Sequence, residues 1–430
     1  MNLKSLATPA LLSLFIACGG GGGSDKPAPP APVVAPVIST FTASATTVEY
    51  GQPVTLSWTL GGDAATSVTL TNADGSAMTC TPAVTSTSTS TVVTPRKRQT
   101  VRLTATNSAG TVTRDINLVS LGVDTYSSTL FSTVGQLAKD PSGNIYMVDH
   151  TNFSHIWKIT PSGVVWNFVG LNVLTYPGAI AWSVKDNAFL VTVQGGMKKV
   201  DLAGTITDLP GYPYFSYITV AKDGTIYGTP QGIGHTITKI DPNGTFSSIT
   251  GGDEFYPGSL VLDATETNLY VMGGASGSET VEVDGMAAVR FSYSNTISKV
   301  DLSNNSITVV AGQFEVGGHA DGIGTAATFQ VIGGATLSND GTAIYLTDAR
   351  NGLIRKLDLA TATVSTVVGT LSPQPYTGAT PFQAGSLTSA EFTPVGLVQN
   401  TAGDLVVGAA MPSINGIITA NSPVCVVTLP

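Results

Sequence analysis

The residues of this chain that could do chemistry are few and loosely spaced. Four histidines occur: His150, His155, His235 and His319. None stands in an HxxxH or HExxH arrangement, the spacings that place two ligands on one helical face. A zinc site needs three or four converging donors, so these histidines read as loop residues. Carboxylates such as Asp253, Glu254, Asp284 and Asp348 are scattered, without the D-x-D-x-D-G run that wraps calcium. They read as turn aspartates, and no cofactor is predicted from them. One stretch is denser. GGASGSETVEVDGMAAVRFSYSN, from Gly273 to Asn295, carries Glu279, Glu282, Asp284, Arg290, Phe291 and Tyr293. Long insertions on a rigid scaffold are where recognition concentrates. These six residues, with Asp348 and Arg350, are therefore the candidate binding face. A second long loop, Leu371 to Ser386, adds Pro373, Pro375, Tyr376 and Phe382.

The elements that must position these residues are strands. Of 430 residues only 11% are charged, against about 25% in an average globular domain. Gly (48) and Pro (24) are abundant, and Ser and Thr are frequent throughout. That mix favours strands and tight turns over solvent-exposed helices, which need Glu, Lys and Arg. The net charge is −9 with only 19 Lys and Arg. The one basic cluster, Arg96 to Arg98, reads as a solvated turn. A nucleic-acid partner is excluded for want of a basic surface.

The N-terminus reads as an address. Lys4 precedes a short apolar run from Leu11 to Ala17, too short for the ~20 residues that span a bilayer and suited to a signal peptide. The run ends FIAC and resembles the bacterial lipobox, which implies a signal peptide over 1–17 and a lipid on Cys18. Residues 18–36 form a tether, with five glycines at Gly19 to Gly23 and then PAPPAPVVAP. Such a segment is flexible at first and stiff where proline dominates, as a domain held clear of a membrane requires. Gly19 after the cysteine resembles lipoproteins sent to the outer membrane. The remaining cysteines, Cys80 and Cys425, fall in different segments and read as free thiols, since a bridge needs Cα atoms within about 7 Å.

Residues 37–121 show short alternating runs: ISTFTAS, PVTLSW, SVTLTN, TVRLTATNSAG and TVTRDINLV. In the second, Val54, Leu56 and Trp58 alternate with Thr55 and Ser57, giving one apolar face. Trp58 is a core residue on this reading. The segment resembles the bacterial Ig-like domains that act as spacers on surface proteins, although Cys80 stands alone where antibody-type domains carry a cysteine pair.

From 124 to 430 the chain repeats. A hairpin pattern, apolar runs joined by a polar turn and ending on an aromatic or aliphatic residue, occurs six times. The copies end at Tyr146, Leu190, Tyr227, Tyr270, Tyr345 and Val406. Five are followed by an apolar-x-Lys-apolar-Asp/Thr strand, with Lys158, Lys199, Lys239, Lys299 and Lys356. Val426 takes the sixth place. The lysines read as pointing to solvent or to the neighbouring Asp. A further short strand completes each unit. One four-stranded sheet cannot bury both faces, whereas a radial stack can, so the pattern predicts a six-bladed β-propeller. The sixth unit lacks its outer strand, and VDTYSSTLF ahead of the first unit can supply it.

Ala320 to Gly369 resembles an NHL repeat of bacterial secreted proteins. Asp321, Gly322, Gly324, Thr325, Ala326, Phe329, Tyr345, Asp348, Asn351, Ile354, Arg355 and Lys356 fit that pattern. The first unit is similar through Asp149 and Asn152, while the second, third and sixth are degenerate. The expected fold class is therefore all-β: an NHL-type propeller after an Ig-like sandwich and a tether. The expected function is a lipid-anchored outer-membrane binding or scaffold protein for a protein or glycan ligand. Its only membrane contact would be the lipid. The alternative is a propeller enzyme, a lactonase-like hydrolase or a lyase, with an axial metal. Resemblance to propeller lactonases would make that metal Ca2+, and the amidating lyases would use histidines. The inner strands here are mostly apolar or Gly, which weakens the enzyme reading.

Overall fold

The computed structural model describes residues 31–126, 135–149, 155–170, 173–283, 286–370, 382–410, 413–414, 417–418 and 423–430, with the backbone alone over 278–283 and 286–291. The expected signal peptide and Cys18 lie outside them. The chain is all-β, and among the described residues no helix is long and apolar enough to cross a membrane.

The N-terminal part is a two-sheet sandwich. Val37–Ala43, Val54–Gly61 and Ser90–Val93 form one sheet. Ser67–Asn72, Gln99–Asn107 and Gly110–Thr125 form the other, with Thr47–Glu49 parallel to the last strand. The period-two pattern explains the core: Val54, Leu56 and Trp58 are buried while Thr55 is exposed. The turn that joins the last two sandwich strands is set locally. At the Gln99–Asn107 corner, the Asn107 side chain accepts the Ala109 and Gly110 amides at 2.9 and 3.2 Å, an Asx turn. Ser90–Val93 is a strand that the Ser/Thr-rich sequence gave no sign of. It earns its place by pairing with Val54 to Ser57 and burying Thr91 and Val93.

Six antiparallel blades follow and form a propeller-like ring: four are four-stranded sheets, the fifth carries the short extra strand Gly322–Ile323, and the sixth is continuous with the second sandwich sheet. Their inner strands are Leu137–Lys139, Ile180–Ser183, Phe215–Val220, Pro257–Leu262, Ile332–Leu337 and Thr393–Gln399. Each packs beside the next, and the sixth packs against the first. The apolar cores lie between blades. Tyr146 and Ile156 of blade one meet Ile180 and Phe189 of blade two, and Met272 and Ile297 of blade four meet Phe329 and Leu346 of blade five. A buried side chain of this size is worth ~1.5–3 kcal/mol, and a lone blade would leave it wet.

The repeated Lys strands are the third strands. Their aspartates cap the turn to the outer strand: Asp201 accepts the Ala203 and Thr205 amides, and Asp358 those of Ala360 and Thr361. Of the lysines, Lys239 meets its neighbouring Asp241 at 3.0 Å, while Lys199 reaches instead across to Asp186 at 3.5 Å and Lys158 lies over the Tyr146 ring, 5.6 Å from its centre.

Blade six closes the ring. Its third strand, Val424–Thr428, pairs with Gly122 to Thr125, the end of the sandwich strand Gly110–Thr125. One strand thus serves both parts. Arg98 of the sandwich reinforces the joint with bonds to the Asp404 carboxylate and the Leu429 carbonyl at 3.2 Å. Gly122 is required there, because a Cβ would stand 2.4 Å from the Gly385 carbonyl oxygen. Cys80 and Cys425 are both free.

Candidate functional site

The face on which inner strands begin and second strands end gathers most of the candidate residues. Its framework is in blade five. Asp348 ends the second strand, Ala343–Asp348, and is fully buried. One carboxylate oxygen takes the Gln330 amide at 2.8 Å, and the other takes the Asn351 side chain at 2.8 Å and Arg355 at 3.0 Å. Burial pushes the Asp348 carboxyl above its ordinary value, and the Asn351, Gln330 and Arg355 contacts pull back against that. Arg355 is buried too. It also reaches Asp321 at 2.7 Å and the Ala320 and Thr328 carbonyls, and it lies 5.3 Å from the Phe329 ring centre. The residues that carry the NHL resemblance thus tie this blade together. Asp348 is wholly enclosed by these contacts. It holds the 3-10 turn Ala349–Asn351, which presents Arg350.

Arg350 lies over the Tyr293 ring, 5.3 Å from its centre, a cation–π distance. Tyr293 ends the blade-four hairpin, whose strands Ala275–Val283 and Met286–Tyr293 are antiparallel, with Glu279 opposite Arg290 in register. The inserted hairpin read from the sequence is therefore present. Glu279, Glu282, Arg290 and Phe291 are placed on it by backbone alone, and Asp284 lies outside the described residues. The hairpin base is held by Ser276, which donates to Glu315 at 2.7 Å. From the second long loop, Phe382 packs on the blade-five and blade-six core, and Gly385 pairs with Val123 at the ring seam. That end of the loop is structural, while 371–381 lie outside the described residues.

The axis opens on the same face as a cavity of about 320 Å³, lined from all six blades. The residues just before Leu137, Ile180, Ile218, Leu260, Ala335 and Leu397 of the six inner strands are Gln136, Ala179, Tyr217, Ser259, Gly334 and Gly396. Blades one, three and four supply polar side chains, and blades two, five and six supply none. The small wall is enforced: a Cβ on Gly396 would lie 2.8 Å from the Gly135 oxygen, and one on Gly334 2.8 Å from the Gly396 Cα. Tyr214, Ser216 and Gln231 complete the opposite wall. Burial raises the Tyr214 phenol, and burial together with Tyr293 raises Tyr217, so both stay neutral hydroxyls. Gln136 crosses the channel. It donates to the Ile218 carbonyl at 3.0 Å and accepts the Ile180 amide at 3.3 Å. The opposite mouth, about 340 Å³, differs in carrying Lys139, Lys222, Asp263 and Glu266.

Among the described residues no three His, Cys, Asp or Glu converge on a metal-sized space. The upper mouth offers hydroxyls and amides with no carboxylate, a donor set that does not fit the axial Ca2+ of the lactonase reading. The histidines stand apart in their surroundings. His155 is buried beside Trp157 rather than in a surface loop, because it opens the third strand opposite Asp149. His235 packs 4.4 Å from the Tyr256 ring and bonds the Phe255 carbonyl. His319 is exposed, and His150 lies outside the described residues.

The axial residues were not singled out from the sequence. Their signal was available in the repeat itself: one position varies as Gln, Ala, Tyr, Ser, Gly and Gly while its apolar neighbours hold steady. No protein-family model matches the sequence, and neither does any curated protein. Solved structures do match. The chain is similar to an auxiliary nutrient binding protein from Bacteroides ovatus, at 14% identity over 93% of this chain and 100% of that one, with a TM-score of 0.55. It is similar to another from Bacteroides thetaiotaomicron, at 15% identity over 91% and 98%, with a TM-score of 0.53. A putative phosphatase from Bacteroides thetaiotaomicron is also similar, at 16% identity over 92% and 98%, with a TM-score of 0.51. At these identities the likeness is one of fold.

Proposed function

We propose that this protein is a lipid-anchored binding protein of the bacterial outer membrane, whose upper propeller face recognises a protein or glycan ligand. The observation that carries the reading is convergence. The inserted hairpin, the Arg350–Tyr293 pair and the axial mouth open on one face, built on a rigid ring. The names of the two nutrient-binding neighbours agree in kind. The lipobox at Cys18 and the tether after it supply the anchor, and the sandwich supplies reach. Nothing in this role requires a cofactor.

The test uses the mature chain beginning at Cys18 and a second version in which Ser278 to Ser294 is replaced by a short turn. Both are used to retrieve ligands from envelope extract and medium. The expected result is that the intact chain retains a ligand and the shortened one loses it. Identical retention by both would remove the hairpin from the recognition face. Anchoring is checked separately: Cys18→Ser should release the protein from the membrane fraction.

A further inference from the structure

We infer that the upper axial mouth is a subsite for a neutral saccharide ring, most simply the terminal sugar of a glycan. The inference rests on the binding-protein reading above and names the ligand class for that face.

The first observation is unused hydrogen-bonding capacity. Tyr214, Ser216, Tyr217, Gln231 and Ser259 all line the cavity. Among the described residues, none of their hydroxyl or side-chain amide groups has a protein partner, although Ser259 is 4% exposed. By contrast, Gln136 in the same wall spans three blades, and nearby Thr192 bonds the Ala179 amide and the Phe215 carbonyl. Ser259 is buried, Tyr214, Ser216 and Tyr217 are half-buried, and Gln231 stands exposed at the rim, so the first four are sheltered groups of the kind that native proteins normally satisfy. A cluster of such unmatched groups around one space is a site built for an external partner.

The chemistry of the wall selects that partner. No lining residue is charged, so an ionic ligand would be desolvated there without a counter-charge. An apolar ligand would leave the hydroxyls and the amide stranded. What remains is a neutral molecule dense in hydroxyls. Tyr and Ser hydroxyls both donate and accept, and the Gln amide does both through separate atoms. These match sugar hydroxyls, which also do both. A saccharide ring has in addition apolar C–H faces, and the flat Tyr214 and Tyr217 rings provide apolar surface with a polar tip. The glycine wall of blades five and six leaves room for a ring, and the volume of about 320 Å³ lies at the small end of the ~300–1,000 Å³ typical of ligand pockets. Gln136 closes the floor, so the ligand enters from the face that carries Arg350 and the hairpin.

The experiment screens the full mature protein against an array of neutral and uronic-acid oligosaccharides and measures the best neutral hit by calorimetry. Binding of neutral glycans is expected. Tyr217→Ala, Gln231→Ala and Ser259→Val should each weaken it about tenfold or more, and Lys222→Ala at the opposite mouth should leave it unchanged. Circular dichroism and melting curves verify that each variant is folded. The inference is overturned by binding of acidic glycans alone, by neutral binding that the mouth variants do not alter, or by no saccharide binding down to about millimolar affinity. If the extract experiment still retains a ligand in a hairpin-dependent way while no saccharide binds, the saccharide inference falls and the recognition reading stands.

Discussion

Arg355 and Asp348 form an ion pair 3.0 Å long in which neither side chain has any exposure. A buried charge is tolerable only when paired and hydrogen-bonded; here Asn351, Gln330 and Asp321 supply partners, and of the guanidinium nitrogens Nε alone is left without one among the described residues. Breaking the pair from one side should therefore be severe. We expect Asp348→Ala to cost about 3–5 kcal/mol, measured by urea denaturation. Asp348→Ala combined with Arg355→Met should recover part of that loss, because the buried guanidinium, left with only the half-exposed Asp321 as a charged partner, is gone. Equal losses in the single and double variants would contradict this account.

The ring seam is a second point of sensitivity. Val426 pairs with Asp124 on one side and Val406 on the other, so its amide belongs to a central ladder. Val426→Pro removes that donor, which central strands do not tolerate. The expected result is a lower melting temperature and protease cleavage near both chain segments that meet at the seam. A propeller fragment starting at Asp124 should show the same defect, since it lacks Gly122 and Val123. A fragment starting at Gly110 should keep the closing strand but lose the Arg98 bonds to Asp404 and Leu429.

Much of this architecture was legible because propeller physics writes itself into the sequence. Each blade needs an apolar inner hairpin, a turn residue with its own hydrogen bond, and a largely buried third strand, which in five blades carries a half-buried lysine. The six hairpins and the borrowed strand follow from those needs. Ser90–Val93 was not legible, because its pairing is decided by the neighbour Val54–Gly61 and not by its own alternation. Asp348 was misjudged as a contact residue: one chain position cannot tell a buried carboxylate from an exposed one. That required knowing that Arg355, seven residues on, faces it across the hairpin. The axial residues were hidden for another reason. Each is ordinary in its own strand, and only six-fold closure brings them together.

Turn aspartates should make the fold acid-sensitive. Asp340 is held down at about 2 by the Ser338 hydroxyl first and then by Thr342. Asp201, Asp301 and Asp358 are lowered mainly by bonds from their own turns, Asp201 by the Thr205 amide and the other two by Ser303 and Thr361. A carboxyl whose folded value lies below its unfolded one, near ~3.9, adds stability that is complete above the unfolded value. That stability is lost as pH falls through the folded one. Asp348 and Asp404 act in the opposite sense, because burial raises them; their contributions weaken as pH rises through the carboxylate range. The lowered group is the larger but lies at the solvent-screened surface, so the melting temperature should hold from neutral pH to about 4 and then fall modestly towards pH 2. Asp340→Asn together with Asp358→Asn should flatten that fall. A melting temperature that rises on acidification would refute the assignment.

The glycine wall can be tested apart from ligand binding. Gly396 sits where blade six meets blade one, and a Cβ there would lie 2.8 Å from the Gly135 carbonyl oxygen and 3.0 Å from a Leu137 methyl carbon. The first neighbour is backbone and cannot rotate away, so the inner strands of the two blades would have to separate. Overpacking of this kind costs about 1–3 kcal/mol, and Gly396→Ala should lower the melting temperature accordingly. Gly403→Ala is an informative contrast. That glycine has open space around it but a φ of +91°, so its penalty is purely conformational and should leave the axial mouth unchanged. If closure depends on contact at the inner strands, Gly396→Ala should also increase amide exchange in Leu137–Lys139 and Thr393–Gln399, whereas Gly403→Ala should raise exchange only around its own turn. Matching exchange patterns in the two variants would show that the close approach at Gly396 does not hold the first and last blades together.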